Sequence, residues 1–337
     1  MFRRLLAALL LVVAAVTVVV LGWPQLFSLQ RVLGIAQLVA FREAATLGVG
    51  VLIVLLLVSA LASPRFRRFG LSLSALALVF VLLNSVVLSS RGFGDAPVPT
   101  RAANDLTVVA WNTLGGAPGP EAIAKLAVES DADVVSLPET TEKTAKAVAA
   151  LMTSAGLPMV SHTVAHGHVS KSRSTSVLIS RALGGYHLDE VAGSTVTLPS
   201  LVMVPDGATG PTIVAAHPVA PQPSELRSWN WDLHWLAGAC PGGDVILAGD
   251  FNATLDHLSG LGTAPGAHLG ACTDAATRAH TAAIGTWPTC APALLGAPID
   301  HVMTTRNWTV VGMRVVQSLD DAGSDHRPIV VRLRPAA

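Results

Sequence analysis

Three long apolar runs in the first ninety residues constrain this chain before anything else does. Leu5 to Leu21 is uninterrupted apolar sequence after Arg3 and Arg4, and Ala44 to Ala62 and Gly70 to Leu88 follow it. Each is about the length that a helix needs to span a bilayer. A signal peptide would resemble the first run, but Gly22-Trp23-Pro24 follows it in place of a small-x-small cleavage site. The expectation is a three-helix transmembrane anchor over residues 1–91, with helices at about 5–22, 44–62 and 70–88. Gln25–Phe41 carries Gln30, Arg31 and Gln37, so it reads as an interfacial loop or amphipathic turn, not a fourth span. None of the three runs contains an ionisable residue. Intramembrane charge marks transporters and proton relays, so these helices read as an anchor and not a conduit.

Charge gives the orientation. Of 22 basic residues, eight lie up to Arg91 (Arg3, Arg4, Arg31, Arg42, Arg65, Arg67, Arg68, Arg91), whereas Glu43 is the one acid there. Arg3 and Arg4, and the Arg65–Arg67–Arg68 cluster, fall on one side of a three-span anchor, and that side should be cytoplasmic. The loop carrying Arg31 and Arg42 then faces out at a modest cost, and the chain after Arg91 emerges outside the plasma membrane. From Gly92 on, 14 basic residues face 21 acidic ones, a balance of −7 that argues against tight non-specific binding of polyanions. Residues 92–104, with Gly92, Gly94, Pro97 and Pro99, read as a linker, and 105–337 as a catalytic domain.

Within that domain Val245–Ala248 is an apolar run that ends in Gly249-Asp250-Phe251-Asn252. Asp250 and Asn252 are two apart, so an extended backbone points both the same way. Leu106–Asn112 is a β-rich run ending in Asn112, Ala132–Glu139 ends in Glu139, and Thr212–His217 ends in His217. Asp300 opens a later strand, and Asp325 with His326 precedes the last, Ile329–Leu333. Helices are expected at Pro120–Glu129, Thr140–Leu151 and Pro223–Ala239, and short strands at Ser174–Ser180, Gly185–Val191 and Thr195–Val204. Strand, helix, strand, helix is an α/β order. Polar groups at six strand ends can converge at one edge of packed sheets. Glu139, Asp250 and Asp325 with the amides of Asn112 and Asn252 form an oxygen-rich set suited to Mg²⁺ or Mn²⁺. His217 and His326 supply proton transfer near neutral pH, and Asp300 can fix an imidazole tautomer. Such a group suits hydrolysis of a phosphate ester.

The ordered set Trp111-Asn112-Thr113, Leu137-Pro138-Glu139, Ala216-His217-Pro218, Gly249-Asp250-Phe251-Asn252, Ile299-Asp300-His301 and Ser324-Asp325-His326 resembles the endonuclease/exonuclease/phosphatase superfamily, from about Asp105 to Arg334. The resemblance implies a four-layer α/β sandwich of two packed β-sheets flanked by helices. It implies Glu139 as the main metal ligand with Asn112 and Asp325, and Asp250 as the group orienting or activating water. Asn252 is implied as a phosphate contact, His326 as the catalytic histidine oriented by Asp300, and His217 as a second histidine on the leaving-group side. A multi-pass anchor ahead of this domain looks like the layout of actinobacterial membrane-linked members. The substrate is left among a lipid headgroup, a small phosphoester and extracellular nucleic acid; a non-catalytic binding module on the same fold is the other class. His162, His166 and His168 read as a polar loop near the substrate mouth, and His257, His268 and His280 as solvent-exposed. The Trp229, Trp231 and Trp235 group reads as packing of a helix on a sheet, and Arg227 as a weak phosphate contact. An extracellular location permits a disulfide among Cys240, Cys272 and Cys290, with Cys272–Cys290 preferred because they flank one loop-rich region.

Overall fold

A computed structural model describes residues 2–94, 98–167, 171–207 and 209–336. It begins with α1 (Phe2–Gly22), a 3-10 turn at Pro24–Phe27 and the short α2 (Ile35–Ala40). The long α3 (Arg42–Ala62) and α4 (Arg67–Arg91) follow. Over Arg4–Gly22, Arg42–Ala62 and Arg67–Arg91 the three long helices are long and apolar enough to cross a membrane. They run past the apolar stretches to take in the flanking arginines, because Arg keeps good helix propensity and its head can leave the apolar zone.

The remainder is built from β1 (Leu106–Ala110), α5 (Gly119–Glu129), β2 (Val134–Pro138), α6 (Glu142–Ser154), β3 (Met159–Ala165) and β4 (Ser174–Ser180). Then come β5 (Tyr186–Leu188), β6 (Leu201–Pro205), β7 (Thr212–Ala216), α7 (Leu226–Gly238), β8 (Val245–Asp250) and α8 (Leu255–Leu258). The pieces β9 (Leu261–Gly262), β10 (Leu269–Gly270), β11 (Thr273–Asp274) and α9 (Ala275–Arg278) lead to β12 (Asp300–Thr304), β13 (Trp308–Val315) and β14 (Ile329–Pro335). One six-stranded sheet has the order β13-β14-β1-β2-β4-β3 and the other β11-β12-β8-β7-β6-β5. β3 was not anticipated from sequence: it is an edge strand, half-buried along most of its length, so it lacks the buried apolar run that marks its neighbours.

The sheets pack face to face through Val108, Ala110, Val177 and Val331 on one side and Ile213, Ala215, Ile246 and Val302 on the other. On the outer face of the first sheet lie α5 and α6, whose Ile123, Leu126, Val148 and Met152 meet Val109, Val135 and Val330. On the outer face of the second lies α7, whose Trp229, Leu233 and Leu236 meet Val214 and Leu247. The architecture is therefore helix, sheet, sheet, helix, and the central strands β1, β2, β7 and β8 are buried and largely apolar. Trp229 packs α7 on its sheet, whereas Trp231 is exposed.

Two sequence expectations are corrected. Cys240 bonds to Cys272 with Cα atoms 6.1 Å apart, and Cys290 is a free, exposed thiol. The end of α7 lies against the β10 turn, where the Ala271 amide donates to the Cys240 carbonyl (2.8 Å), so those two cysteines meet. His257 is fully buried in α8, where its Nε2 lies 2.9 Å from the Ala36 carbonyl. His268 is half-buried and His280 exposed. The start of the expected linker is held as well: Ala282 and Ala283 amides donate to the Arg91 and Gly92 carbonyls, and Gly94 donates to His280. A Cβ at Gly92 would come within 2.2 Å of the His280 carbonyl oxygen, and its φ is +80°, so only glycine fits this approach. Residues 95–97 of that expectation lie outside the described residues.

Candidate active site

Strand direction explains why distant residues meet. β1 and β2 are parallel, so Asn112 and Glu139 leave the same edge of the first sheet. β7 and β8 are parallel, so His217 and Asp250 leave the corresponding edge of the second. β14 runs antiparallel to β1 and β12 antiparallel to β8, so the residues entering those strands, Asp325, His326 and Asp300, lie at the same edges. Asp300 is the direct cross-strand partner of Asp250. Gly249 precedes Asp250 because a Cβ there would sit 2.1 Å from the Ala216 carbonyl oxygen of β7, and its φ is +146°.

Two buried carboxylates directly opposite one another repel unless a cation intervenes. His326 supplies it. Its Nδ1 is 2.9 Å from Asp300 Oδ2 and its Nε2 is 3.7 Å from Asp250 Oδ2. Burial works against charging this imidazole, but the charges of Asp300 and Asp250 overcome it and hold its pKa well above the ordinary histidine value. Burial likewise raises Asp250, against the opposing charge of His326. Ligand atoms of Asp250, Asp300 and His326 lie within 4.8 Å of one another, a spacing that could hold a metal ion. The Nδ1–Asp300 hydrogen bond already explains that grouping as an oriented, charged imidazole.

Asp250 is further held by three donors. The Asn252 amide N–H donates to Oδ1 (2.7 Å), and Asn112 Nδ2 (3.0 Å) and Asn252 Nδ2 (3.2 Å) donate to Oδ2. Asn112 Nδ2 also donates to Glu139 Oε1 (3.2 Å), while its Oδ1 accepts from the Leu114 amide. Glu139 and Asn252 both have left-handed backbones, φ +56° and +45°. Non-glycine residues held there are sparsely populated and cluster at functional sites. Burial raises the Glu139 pKa, and the nearby Asp325 carboxylate raises it further.

Three buried polar atoms of the site lack a partner, Asp300 Oδ1 among them, and the other two flank the Asp250–His326–Asp300 group. Asp325 Oδ2 accepts from Trp287 Nε1 (2.9 Å), but its Oδ1 has none. His217 Nδ1 is 3.0 Å from Thr175 Oγ1, and its fully buried Nε2 has none. Burial drives His217 down to about 3, so it is neutral. A desolvated acidic pair, Glu139 and Asp325, with an orphaned carboxylate oxygen fits a hard divalent cation. The Asn112 amide would have to turn over to offer its oxygen to that ion.

All eight sequence-named residues, Asn112, Glu139, His217, Asp250, Asn252, Asp300, Asp325 and His326, therefore stand at one edge of the sandwich. Sequence reasoning missed Thr175 and Trp287, which orient His217 and Asp325. Ser324 stood in the Ser324-Asp325-His326 motif without a role; its Oγ donates to the Asn112 carbonyl (2.6 Å) and ties the turn before β14 to the end of β1. Each is an ordinary strand or turn residue whose partner is remote in sequence, so no local pattern marks its role. His162 and His166 are half-buried on or beside β3, and His168 lies outside the described residues. Arg227 is exposed on α7.

Residues 109–326 match the Endonuclease/Exonuclease/phosphatase family. No curated protein matches the chain by sequence. Among solved structures, an endonuclease/exonuclease/phosphatase from Beutenbergia cavernae is similar at 21% identity and TM-score 0.51, over 69% of this chain and 72% of that one. TDP2 of D. rerio, in a structure with a single-strand DNA product, is similar at 14% identity and TM-score 0.52, over 68% of this chain and 99% of that one. The endonuclease/exonuclease/phosphatase from Bacteroides vulgatus is similar at 14% identity and TM-score 0.51, over 69% and 99%. At these identities the likeness to solved structures concerns the fold.

Proposed function

The chain belongs to the endonuclease/exonuclease/phosphatase family, whose members are metal-dependent phosphoester hydrolases, and from that premise we propose a membrane-anchored phosphodiesterase. The observation that carries the reading is the pair of orphaned buried atoms, His217 Nε2 and Asp325 Oδ1, on either flank of the Asp250–His326–Asp300 group.

Glu139 and Asp325 would hold Mg²⁺ or Mn²⁺, with Asn112 after its amide turns, and the ion would neutralise charge on the phosphoryl oxygens. Asp250 orients the attacking water and takes its proton. Burial suits it to this, because a general base works best with a pKa near the working pH. His326 keeps Nδ1–H on Asp300, so its Nε2–H is free to donate to a phosphoryl oxygen. Asn252 Nδ2 donates to the Pro218 carbonyl (3.0 Å) and to Asp250 (3.2 Å), and by giving up the longer bond it becomes a second phosphate contact. His217, neutral, presents Nε2 on the leaving-group side when Thr175 hydroxyl donates to Nδ1.

Residues 1–91 serve as the anchor, and 105–337 as the catalytic domain joined through 92–104. Leu9, Val16, Leu47, Val54, Leu55 and Val86 expose large apolar side chains along the long helices, a surface that water disfavours and a bilayer does not. Arg4 with Arg65, Arg67 and Arg68 then marks the cytoplasmic side and places the site outside the plasma membrane. The layout looks like that of actinobacterial membrane-linked members.

The test is turnover of bis-p-nitrophenyl phosphate and p-nitrophenyl phosphate by the full chain in detergent, with and without Mg²⁺ or Mn²⁺. We expect metal-dependent diester hydrolysis that falls by about 10²-fold or more in Glu139→Gln and in His326→Ala. Turnover that neither variant changes would remove the assignment.

A further inference from the structure

Three arginines stand at the end of the helix bundle that the charge pattern places outside, where positive charge is least expected. The fold engages all of them. Arg42, the first residue of α3, grips Asp256 with Nε to Oδ2 (3.1 Å) and Nη2 to Oδ1 (2.7 Å). Arg91, the last residue of α4, reaches the same carboxylate at 2.9 Å. Gln25 Nε2 donates to it as well (2.7 Å). Arg42 also donates to the Gly22 carbonyl at the end of α1 (3.1 Å) and to Asn84 Oδ1 inside α4. Arg31 donates to the His257 and Ser259 carbonyls (2.7 and 3.1 Å). One carboxylate therefore ties together the outer ends of all three long helices, and its side chain is only 3% exposed.

Asp256 lies six residues past Asp250, on α8, and the same docking reaches both rims of the active site. On the His217 side, Gln37 Nε2 donates to the Pro221 carbonyl (2.5 Å), just beyond the Pro218 carbonyl that holds Asn252. His257 stacks edge-on against Trp229 (5.1 Å between centroids), whose Nε1 donates to the Asn252 carbonyl (3.0 Å). On the other side, Phe41 packs against Trp287 (5.8 Å), whose indole holds Asp325. Segment 25–42 thus braces Asn252 from one side and Asp325 from the other. At the same level Trp23, Leu26, Phe27, Val32 and Leu33 are exposed.

We propose that Asp256, clamped by Arg42 and Arg91, is a positioning residue that fixes the active site in the headgroup layer of the bilayer, and that the substrate is the phosphodiester of a membrane lipid. The proposal rests on the membrane-anchored phosphodiesterase reading above. The headgroup layer is roughly 5–7 Å deep on each side of the hydrocarbon. The site is joined to the helix ends by two short relays, His257–Trp229–Asn252 and Phe41–Trp287–Asp325, which would hold it within reach of a lipid phosphate. The exposed apolar side chains settle into the boundary between headgroups and acyl chains, as interfacial residues do. A polynucleotide, by contrast, would have to approach between an acidic domain and the membrane. The reaction is ordinary hydrolysis. The water oxygen bonds to phosphorus, the phosphorus–oxygen bond to diacylglycerol breaks and frees the headgroup phosphate, and the proton lost by water balances the one gained by the diacylglycerol alkoxide.

The experiment uses the full chain in vesicles of phosphatidylcholine, phosphatidylethanolamine and phosphatidylglycerol. Release of organic phosphate from the vesicles is compared with turnover of soluble bis-p-nitrophenyl phosphate and of single-stranded DNA. The variants are Asp256→Asn, the milder Gln25→Ala, and Asp256→Glu as the conservative rescue. We expect the wild type to hydrolyse vesicle lipid. Asp256→Asn should lose that activity by about tenfold or more while keeping the soluble diester within about twofold, as a misplaced rather than damaged site would. Gln25→Ala should show the same selective loss in smaller measure, and Asp256→Glu should restore it. Diester turnover with no lipid hydrolysis, or DNA cleaved in preference to lipid, overturns the substrate and leaves the phosphodiesterase reading standing. Equal loss on lipid and soluble diester in Gln25→Ala overturns the positioning role. No diester turnover by the wild type with either metal removes the underlying reading and this proposal with it.

Discussion

His217 and His326 are both buried beside the reaction centre, yet one is neutral and the other charged. His326 faces two carboxylates and is held protonated, whereas His217 faces one hydroxyl and stays neutral. Burial and the nearby charge of His326 keep His217 neutral, and Thr175, its one hydrogen-bond partner, brings no charge to oppose them. Replacing Thr175 with Val should free the His217 tautomer and lower kcat on the soluble diester by about 3–10-fold, the usual worth of one hydrogen bond. Thr175→Ser should keep activity near the wild-type value. Equal kcat in Thr175→Val and the wild type would show that the hydroxyl does not direct His217.

At the scale of elements, α8 is only four residues long yet carries Asp256 and His257, both buried against the N-terminal segment. Burial opposes ionisation of Asp256, but Arg91 and Arg42 outweigh it and hold its pKa below the carboxylate range. Burial pushes His257 down from 6.5 to about 4. The two shifts have the same sign for stability. Between pH 6.5 and about 4 the unfolded chain protonates His257 and the folded chain does not, so stability falls with pH by up to about 1.4 kcal/mol per unit. Below the ordinary aspartate value the Asp256 contribution is lost as well. Thermal unfolding of the full chain should therefore move to lower temperature as pH drops from about 7.5 to about 5. His257→Gln should flatten that slope, and an unchanged slope would place the acid lability elsewhere. Removing the Asp256 charge leaves buried Arg42 and half-buried Arg91 without their carboxylate, although Arg42 keeps the Gly22 carbonyl and Asn84, so Asp256→Asn should unfold at a lower temperature than the wild type.

For the molecule as a whole, the disulfide closes a loop 32 residues apart and pins α7 to the turn beneath it. Non-reducing peptide mapping should recover Cys240 linked to Cys272 and Cys290 as a free thiol. The Cys240→Ala, Cys272→Ala double variant should lose about 2–4 kcal/mol of stability, read from its unfolding midpoint. A Cys290 link to either partner in the map would contradict the packing of α7 on β10.

The amino-acid sequence by itself determined the local signals. Apolar runs of bilayer length announced the three helices, and β-rich runs ending in Asn112, Glu139, His217 and Asp250 announced both the strands and their polar tips. These are short-range properties, set by hydropathy and side-chain period. The site residues were legible because each sits at the end of a strand with its own pattern. Their mutual geometry was not, because it depends on which strands pair in parallel and which run against them. The parts played by Thr175, Trp287 and Ser324 were invisible for the same reason, as was the Cys240–Cys272 bond, whose sequence neighbourhood favoured Cys272–Cys290. Most of all, Arg31 and Arg42 read in sequence as a small violation of the charge rule. Only the tertiary structure brought Asp256 to Arg42, because a buried carboxylate more than two hundred residues from Arg42 is found by packing and not by pattern.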